Sequence, residues 1–113
     1  MHELRIAQDL TAIVIEAAER ENLSRVTKVS VTFGQLVSIV PGIFESAFSE
    51  AVKDSVAEDA GLYVEILPVK LRCNNCGNDF LPGKDLFLCS ECNSSDIDII
   101  QGKELFVKSI EGE

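Results

Sequence analysis

The residue types that could do chemistry in this chain are concentrated at two places. All four cysteines lie in "CNNCGNDFLPGKDLFLCSEC", as Cys73 and Cys76, then Cys89 and Cys92, with two residues inside each pair and twelve between the pairs. Two CxxC pairs at this separation suit a tetrahedral four-thiolate zinc site, in which each pair makes a tight knuckle and a hairpin brings the knuckles together. Gly77 and Asn93 follow the pairs, and both residue types reach positive φ cheaply, as the end of a knuckle requires. A thioredoxin-type redox pair would need one CxxC on a helix after a strand, and paired disulfides would suit a secreted chain. Four thiolates close the zinc shell and leave no position for water, so the metal is expected to be structural.

The second place is the beginning of the chain, where His2, the only histidine, stands between Met1 and Glu3. The α-amine of residue 1, the amide nitrogen of residue 2 and the Nδ1 of a histidine at position 2 can close five- and six-membered chelate rings on one metal. The Glu3 amide would complete a four-nitrogen plane, a geometry that suits Ni(II) or Cu(II) rather than Zn(II). The same residues have a plain alternative reading: a solvated polar histidine, with Glu3 favouring a first helical turn by its charge.

The elements that must position these groups read as an α+β scaffold. Over Glu3 to Glu21, Leu4, Ala7, Leu10, Val14, Ala17 and Ala18 recur at helical spacing. "RVTKVSVTFG" alternates Val29, Val31 and Phe33 with Lys28, Ser30 and Thr32, a half-buried strand that Gly34 ends. "VPGIFESAFSEAVKDS" sets Pro41 near a helix start, with Phe44, Ala47, Phe48, Ala51 and Val52 on one face. "LYVEILPVK" reads as a second strand with Pro68 suggesting an edge, and "DIDII" and "ELFVKSI" are strand-like around a turn at Gln101-Gly102-Lys103. The expected fold is two helices packed on a small three-stranded, mostly antiparallel sheet, with an inserted four-cysteine zinc-ribbon-like module. Its expected division is residues 1–70 plus about 97–113 for the αβ part and 71–96 for the zinc module.

Composition narrows the function. The chain carries 19 acidic and 10 basic residues, a formal charge of −9, and the four thiolate charges less the two positive charges of zinc would take this to −11. Such a balance repels a phosphate backbone, and no basic patch offsets it: near the cysteines Arg72 and Lys84 are countered by Asp79, Asp85 and Glu91. A nucleic-acid-binding ribbon is therefore disfavoured. An enzyme is disfavoured too, because a lone terminal histidine makes no buried nucleophile–base pair and a four-cysteine zinc is closed to substrate. No stretch approaches a membrane span, and acidic residues stand where a signal peptide would be basic, so a soluble, non-secreted protein is expected. A zinc-ribbon protein–protein adaptor without nickel transfer is the remaining rival.

Taken together, "MHE" leading into an apolar helix, "VSVTFGQL" followed by "VPGIFESAF", the two CxxC pairs, and the tail "GKELFVKSIE" closely resemble the HypA/HybF family of nickel metallochaperones for nickel–iron hydrogenase maturation. The resemblance covers nearly the whole chain. It implies a Ni(II) site made by the Met1 amine, His2 and the backbone of Glu3, and a structural zinc held by Cys73, Cys76, Cys89 and Cys92. It further implies delivery of nickel, with a HypB-type GTPase, to the hydrogenase large-subunit precursor by a cytoplasmic, non-enzymatic protein that is a monomer or a weak homodimer. Some family members have histidines flanking the CxxC pairs; this chain has none there, so the expected zinc ligands are thiolates only.

Overall fold

The computed structural model describes residues 2–83 and 87–113; Met1, and with it the proposed amine ligand, and Lys84 and Asp85 lie outside them. The chain runs α1 (His2–Arg20), β1 (Val26–Gly34), a short 3-10 turn (Gln35–Val37), α2 (Pro41–Ala51), β2 (Gly61–Leu67), β3 (Lys70–Cys73), β4 (Asp79–Phe80), β5 (Ile97–Gln101) and β6 (Leu105–Gly112). No helix among the described residues is long and apolar enough to cross a membrane.

Two three-stranded sheets result, in the orders β2-β1-β6 and β4-β3-β5. β2 returns parallel to β1 because α2 forms the crossover between them, and β6 lies antiparallel on the other side of β1. Both pairings of the second sheet are antiparallel, so three of the four pairings are antiparallel. One difference from the expected division follows. Ile97–Gln101 does not join the αβ sheet: it pairs with β3, setting Leu71 against Ile99 and Cys73 against Ile97. The second sheet therefore runs past residue 96, and the chain crosses back to the first sheet at Gly102.

The first sheet carries its helices on one face. Val29, Val31 and Phe33 of β1 meet Ala7, Leu10, Val14 and Ala18 of α1 and Phe44 and Phe48 of α2, all buried. Phe33 and Phe44 meet edge to face with centroids 4.9 Å apart and planes at 83°, a favoured aromatic geometry. The inward stripe of α1 is shifted at its start: Leu4 is exposed and Glu3 is buried, so the stripe begins Glu3, Ala7, Leu10.

The two sheets lie along a particle of 54 × 28 × 17 Å with a radius of gyration of 17.7 Å. A compact chain of this length would have a radius near ~13 Å. The sheets meet at a narrow junction. Gly34 donates to the Glu104 carbonyl at 2.7 Å and Leu36 to the Gly102 carbonyl at 2.8 Å. The Gln35 side chain accepts from the Val69 N–H at 3.0 Å, and the Gln101 side chain donates to the Pro68 carbonyl at 3.0 Å. Gly34 passes so close to Gly102 that a Cβ there would stand 2.0 Å from the Gly102 carbonyl carbon.

Candidate metal centres

In the second sheet each CxxC pair forms one knuckle. The Cys73 carbonyl accepts from the Gly77 N–H at 2.9 Å and the Cys89 carbonyl from the Asn93 N–H at 3.0 Å. Gly77 and Asn93 take φ of 77° and 59°, the left-handed conformation expected of them. β3 delivers Cys73 from its end, and the hairpin through β4 returns the chain to Cys89.

The four Sγ atoms lie within 4.8 Å of one another, with Cys73 to Cys92 and Cys76 to Cys89 both at 3.6 Å. Tetrahedral zinc with Zn–S bonds of ~2.3 Å separates its sulfurs by ~3.8 Å, so the cluster fits Zn(II) in size and in donor chemistry. Cys73 and Cys89 are buried while Cys76 and Cys92 face solvent.

The surrounding donors favour thiolate. Asn75 and Cys76 present backbone N–H groups to the Cys73 sulfur at 3.4 and 3.5 Å, and Glu91 does so to Cys89 at 3.3 Å. The Asn75 side chain reaches Cys92 Sγ at 3.5 Å and that of Asn78 reaches Cys89 Sγ at 3.8 Å. These asparagines carry a role that spacing alone did not reveal; their only signal in sequence is that polar residues fill both knuckles. In the metal-free cluster the thiols share charge unevenly. Burial works to raise Cys89, but the N–H groups of Cys92 and Glu91 bring it down to about 6. Cys76 accepts from the Asn78 N–H, which favours its thiolate, yet contact with the Cys89, Cys92 and Cys73 thiols and burial push it up to about 12. Zinc would take the place of those shared protons.

The other centre lies at the start of α1. His2 is the first helical residue, and the first amides of a helix have no partner within it. The His2 side chain is 58% exposed, and its Nε2 lies 3.8 Å from the Glu3 carboxylate. A chelate through the residue-2 amide would use the other ring nitrogen, Nδ1.

Glu3 is the residue whose placement sequence did not foretell. Its side chain turns inward, only 5% exposed, and its Oε2 accepts from the Val40 N–H at 3.2 Å. Val40 is the N-cap of α2 and offers no side-chain cap of its own. Bonds from the N–H groups of Glu3 itself and of Val40 hold this carboxyl below the usual carboxylate range. The Glu3 side chain is thus occupied in tying α1 to α2. The cysteine cluster belongs to the second sheet, whereas His2 and Glu3 start the helix packed on the first.

Comparison with known proteins identifies the family and the fold. A family model described as "Hydrogenase/urease nickel incorporation, metallochaperone, hypA" matches residues 1–112. The hydrogenase maturation factor HypA of Dehalococcoides mccartyi is 32% identical over 111 residues, covering 98% of this chain and 93% of the relative. The solution structure of the Ni metallochaperone HypA from Helicobacter pylori superposes with a TM-score of 0.72 at 29% identity, covering 97% of this chain and 96% of that one. A second solution structure of a HypA protein gives a TM-score of 0.79 at 30% identity over 100% and 97% of the two chains. With the match running from the terminal histidine through both sheets, the chain belongs to the HypA family of metallochaperones for nickel incorporation into hydrogenase and urease.

Proposed function

We propose that this protein carries Ni(II) for maturation of nickel–iron hydrogenase. In this reading one ion is held by the Met1 amine, the amide nitrogens of His2 and Glu3, and His2 Nδ1, and a separate Zn(II) is held by Cys73, Cys76, Cys89 and Cys92. The αβ part binds the cargo and the zinc part is a rigid appendage. The partners are a HypB-type GTPase and the hydrogenase large-subunit precursor, met in the cytoplasm, and the protein acts as a carrier rather than as an enzyme.

The observation that carries the reading is the exposed His2 at the first turn of α1 with its Nε2 turned to the buried Glu3 carboxylate. A chelate through backbone amides needs amides outside the helix's own bonds and an imidazole able to turn its Nδ1 to the metal, and an exposed histidine at a helix start suits both needs. An adaptor would have no use for either.

The test is nickel titration of zinc-loaded protein beginning at an unblocked Met1, beside a sample with one extra residue ahead of it. The extension keeps every side chain and removes the α-amine from its place, so nickel binding should be lost while zinc content and fold are kept. His2→Ala should do the same. Binding must displace protons from the amine and from at least one amide, so affinity should fall steeply as pH drops. The bound ion should be four-coordinate, planar and diamagnetic. Equal nickel affinity in the extended protein, or in His2→Ala, would overturn the terminal site.

A further inference from the structure

The two knuckles of the second sheet are alike in backbone and unlike in side chains. The first carries Asn74, Asn75 and Asn78 where the second carries Ser90, Glu91 and Ser94. All three asparagine side chains leave their own knuckle and reach the other segment. Asn74 Nδ2 donates to Asp96 Oδ1 at 3.1 Å, beside the bond from the Asn74 N–H to the Asp96 carbonyl at 2.9 Å. Asn75 Nδ2 lies 3.5 Å from Cys92 Sγ, and Asn78 Nδ2 lies 3.8 Å from Cys89 Sγ and 3.2 Å from Ser90 Oγ. Both sulfurs of the second knuckle are thus held by amides that belong to the first.

That placement bears on which metal the cysteines accept. Zn(II) has a filled d shell and no geometric preference of its own, so it takes the disposition that four sulfurs are given. Raw affinity does not separate it from Ni(II), and geometry has to. Ni(II) gains by drawing four donors into a plane. In a site made of two CxxC chelates, that requires one knuckle to turn about the other. A single tether between the knuckles would leave such a turn open, whereas two tethers, one to Cys92 and one to Cys89, oppose it. The donated N–H groups favour thiolate with either metal, so the discrimination lies in the angle between the knuckles and not in sulfur charge.

We infer that Asn75 and Asn78 are metal-selectivity residues, which keep Ni(II) out of the cysteine site by holding the two knuckles at an angle that zinc accepts and nickel does not. The inference rests on the reading of this protein as a nickel carrier, in which cargo trapped by four thiolates would not be delivered. Exposed asparagines in a knuckle could otherwise serve the turn alone, but a turn residue has no need to reach a sulfur of the opposite pair.

The test uses the zinc-loaded full chain carrying His2→Ala, so that the proposed terminal site contributes no nickel and the outcome does not depend on it. Excess nickel chloride is added, zinc and nickel are measured after desalting, and the sulfur-to-nickel charge-transfer absorption in the near ultraviolet, which zinc lacks, reports the cysteine site by itself. With the asparagines in place the protein should keep its zinc and show no such band. Asn75→Ala with Asn78→Ala should move the ratio of nickel to zinc affinity at the cysteines about tenfold or more toward nickel. Asn75→Ala alone, a change at an exposed residue, should move it in the same direction, and it carries the test if the double variant fails to fold. Asn74→Ala touches no sulfur and keeps the backbone bond to Asp96, so it should leave the ratio unchanged. An unchanged ratio in folded Asn75→Ala, or an equal shift in Asn74→Ala, would overturn the assignment. Failure of the terminal site would show instead in the titrations with and without His2 and would leave this result as it stands.

Discussion

Replacing Gly34 by alanine tests whether the junction between the sheets is locked. The backbone at Gly34 is extended, with φ −79° and ψ 150°, so alanine is conformationally welcome there and only space is at issue. The added Cβ would lie 2.0 Å from the Gly102 carbonyl carbon, 2.1 Å from its oxygen and 2.4 Å from the Lys103 nitrogen. Carbon contacts settle at ~3.5 Å, so the two backbones must part by about 1.5 Å. That movement breaks the bonds from Gly34 to Glu104 and from Leu36 to Gly102. Each loss costs about 1 kcal/mol, and up to about 3 kcal/mol where a group stays buried without a partner. Gly34→Ala should therefore destabilise the zinc-saturated protein by about 3–5 kcal/mol, read as a lowered midpoint in denaturant at fixed zinc, with faster exchange of the Gly34 and Leu36 amides. Gly42→Ala is the internal control. A Cβ at Gly42 meets nothing within 4 Å, and the residue lies inside α2, so alanine should be neutral or stabilise by up to about 1 kcal/mol. A Gly34→Ala protein within about 1 kcal/mol of the parent, with both amides still protected, would refute the locked junction.

Two further outcomes follow from buried groups. Replacing any one of Cys73, Cys76, Cys89 or Cys92 by alanine should release zinc and disorder the chain mainly over the second sheet, residues 70–101, because the metal supplies most of that segment's folding energy; amide dispersion of α1, β1 and α2 should survive, and collapse of the whole spectrum would contradict this. Thr11 is buried in α1 with no hydrogen-bond partner for its Oγ1 among the described residues, so Thr11→Val should stabilise the protein by about 1 kcal/mol and raise the melting temperature by about 4 °C.

The parts of this fold that sequence reveals are those set by local periodicity. Val29, Val31 and Phe33 alternate toward the core as a strand period requires, and Phe44 and Phe48 recur one helical turn apart. The knuckles were legible for a different reason: the cysteine spacing and the positive-φ residues after each pair are local geometry, and Gly77 and Asn93 adopt it. Pairing partners are not local. "DIDII" reads equally as a strand for either sheet, and what assigns it to β3 is contact with Leu71 and Cys73, whose neighbours in sequence carry no trace of it. Thr32 likewise alternates outward as a surface position should, yet it is only 1% exposed, with Glu65 accepting its hydroxyl at 3.2 Å and Phe106 opposite it on β6.

Glu3 carries the same lesson into the functional site. Periodicity placed Leu4 on the apolar stripe and left Glu3 to solvent, because a carboxylate at a helix start ordinarily interacts with the helix dipole. The structure reverses the two. The reason is the need of one N–H group, that of Val40, which opens α2 without a side-chain cap 37 residues further on. Burial of a charged side chain is costly unless its oxygens are bonded, and here they accept from the backbone at both helix starts. The consequence reaches the metal chemistry. A carboxylate so occupied is a poor ligand, and in the proposed nickel site the donor from this residue is its amide nitrogen. Nickel taken up there would remove the Glu3 amide proton and with it that residue's internal bond, leaving Val40 to hold the carboxylate. On this argument Glu3→Gln, which keeps an acceptor for Val40, should bind nickel much as the parent does. Glu3→Ala keeps the backbone nitrogen but frees the start of α1, so it should weaken nickel binding without changing the planar spectrum of the complex that forms. A Glu3→Gln protein whose nickel complex is six-coordinate would instead show that the carboxylate charge itself holds the metal geometry, and that the amide plane is not the site.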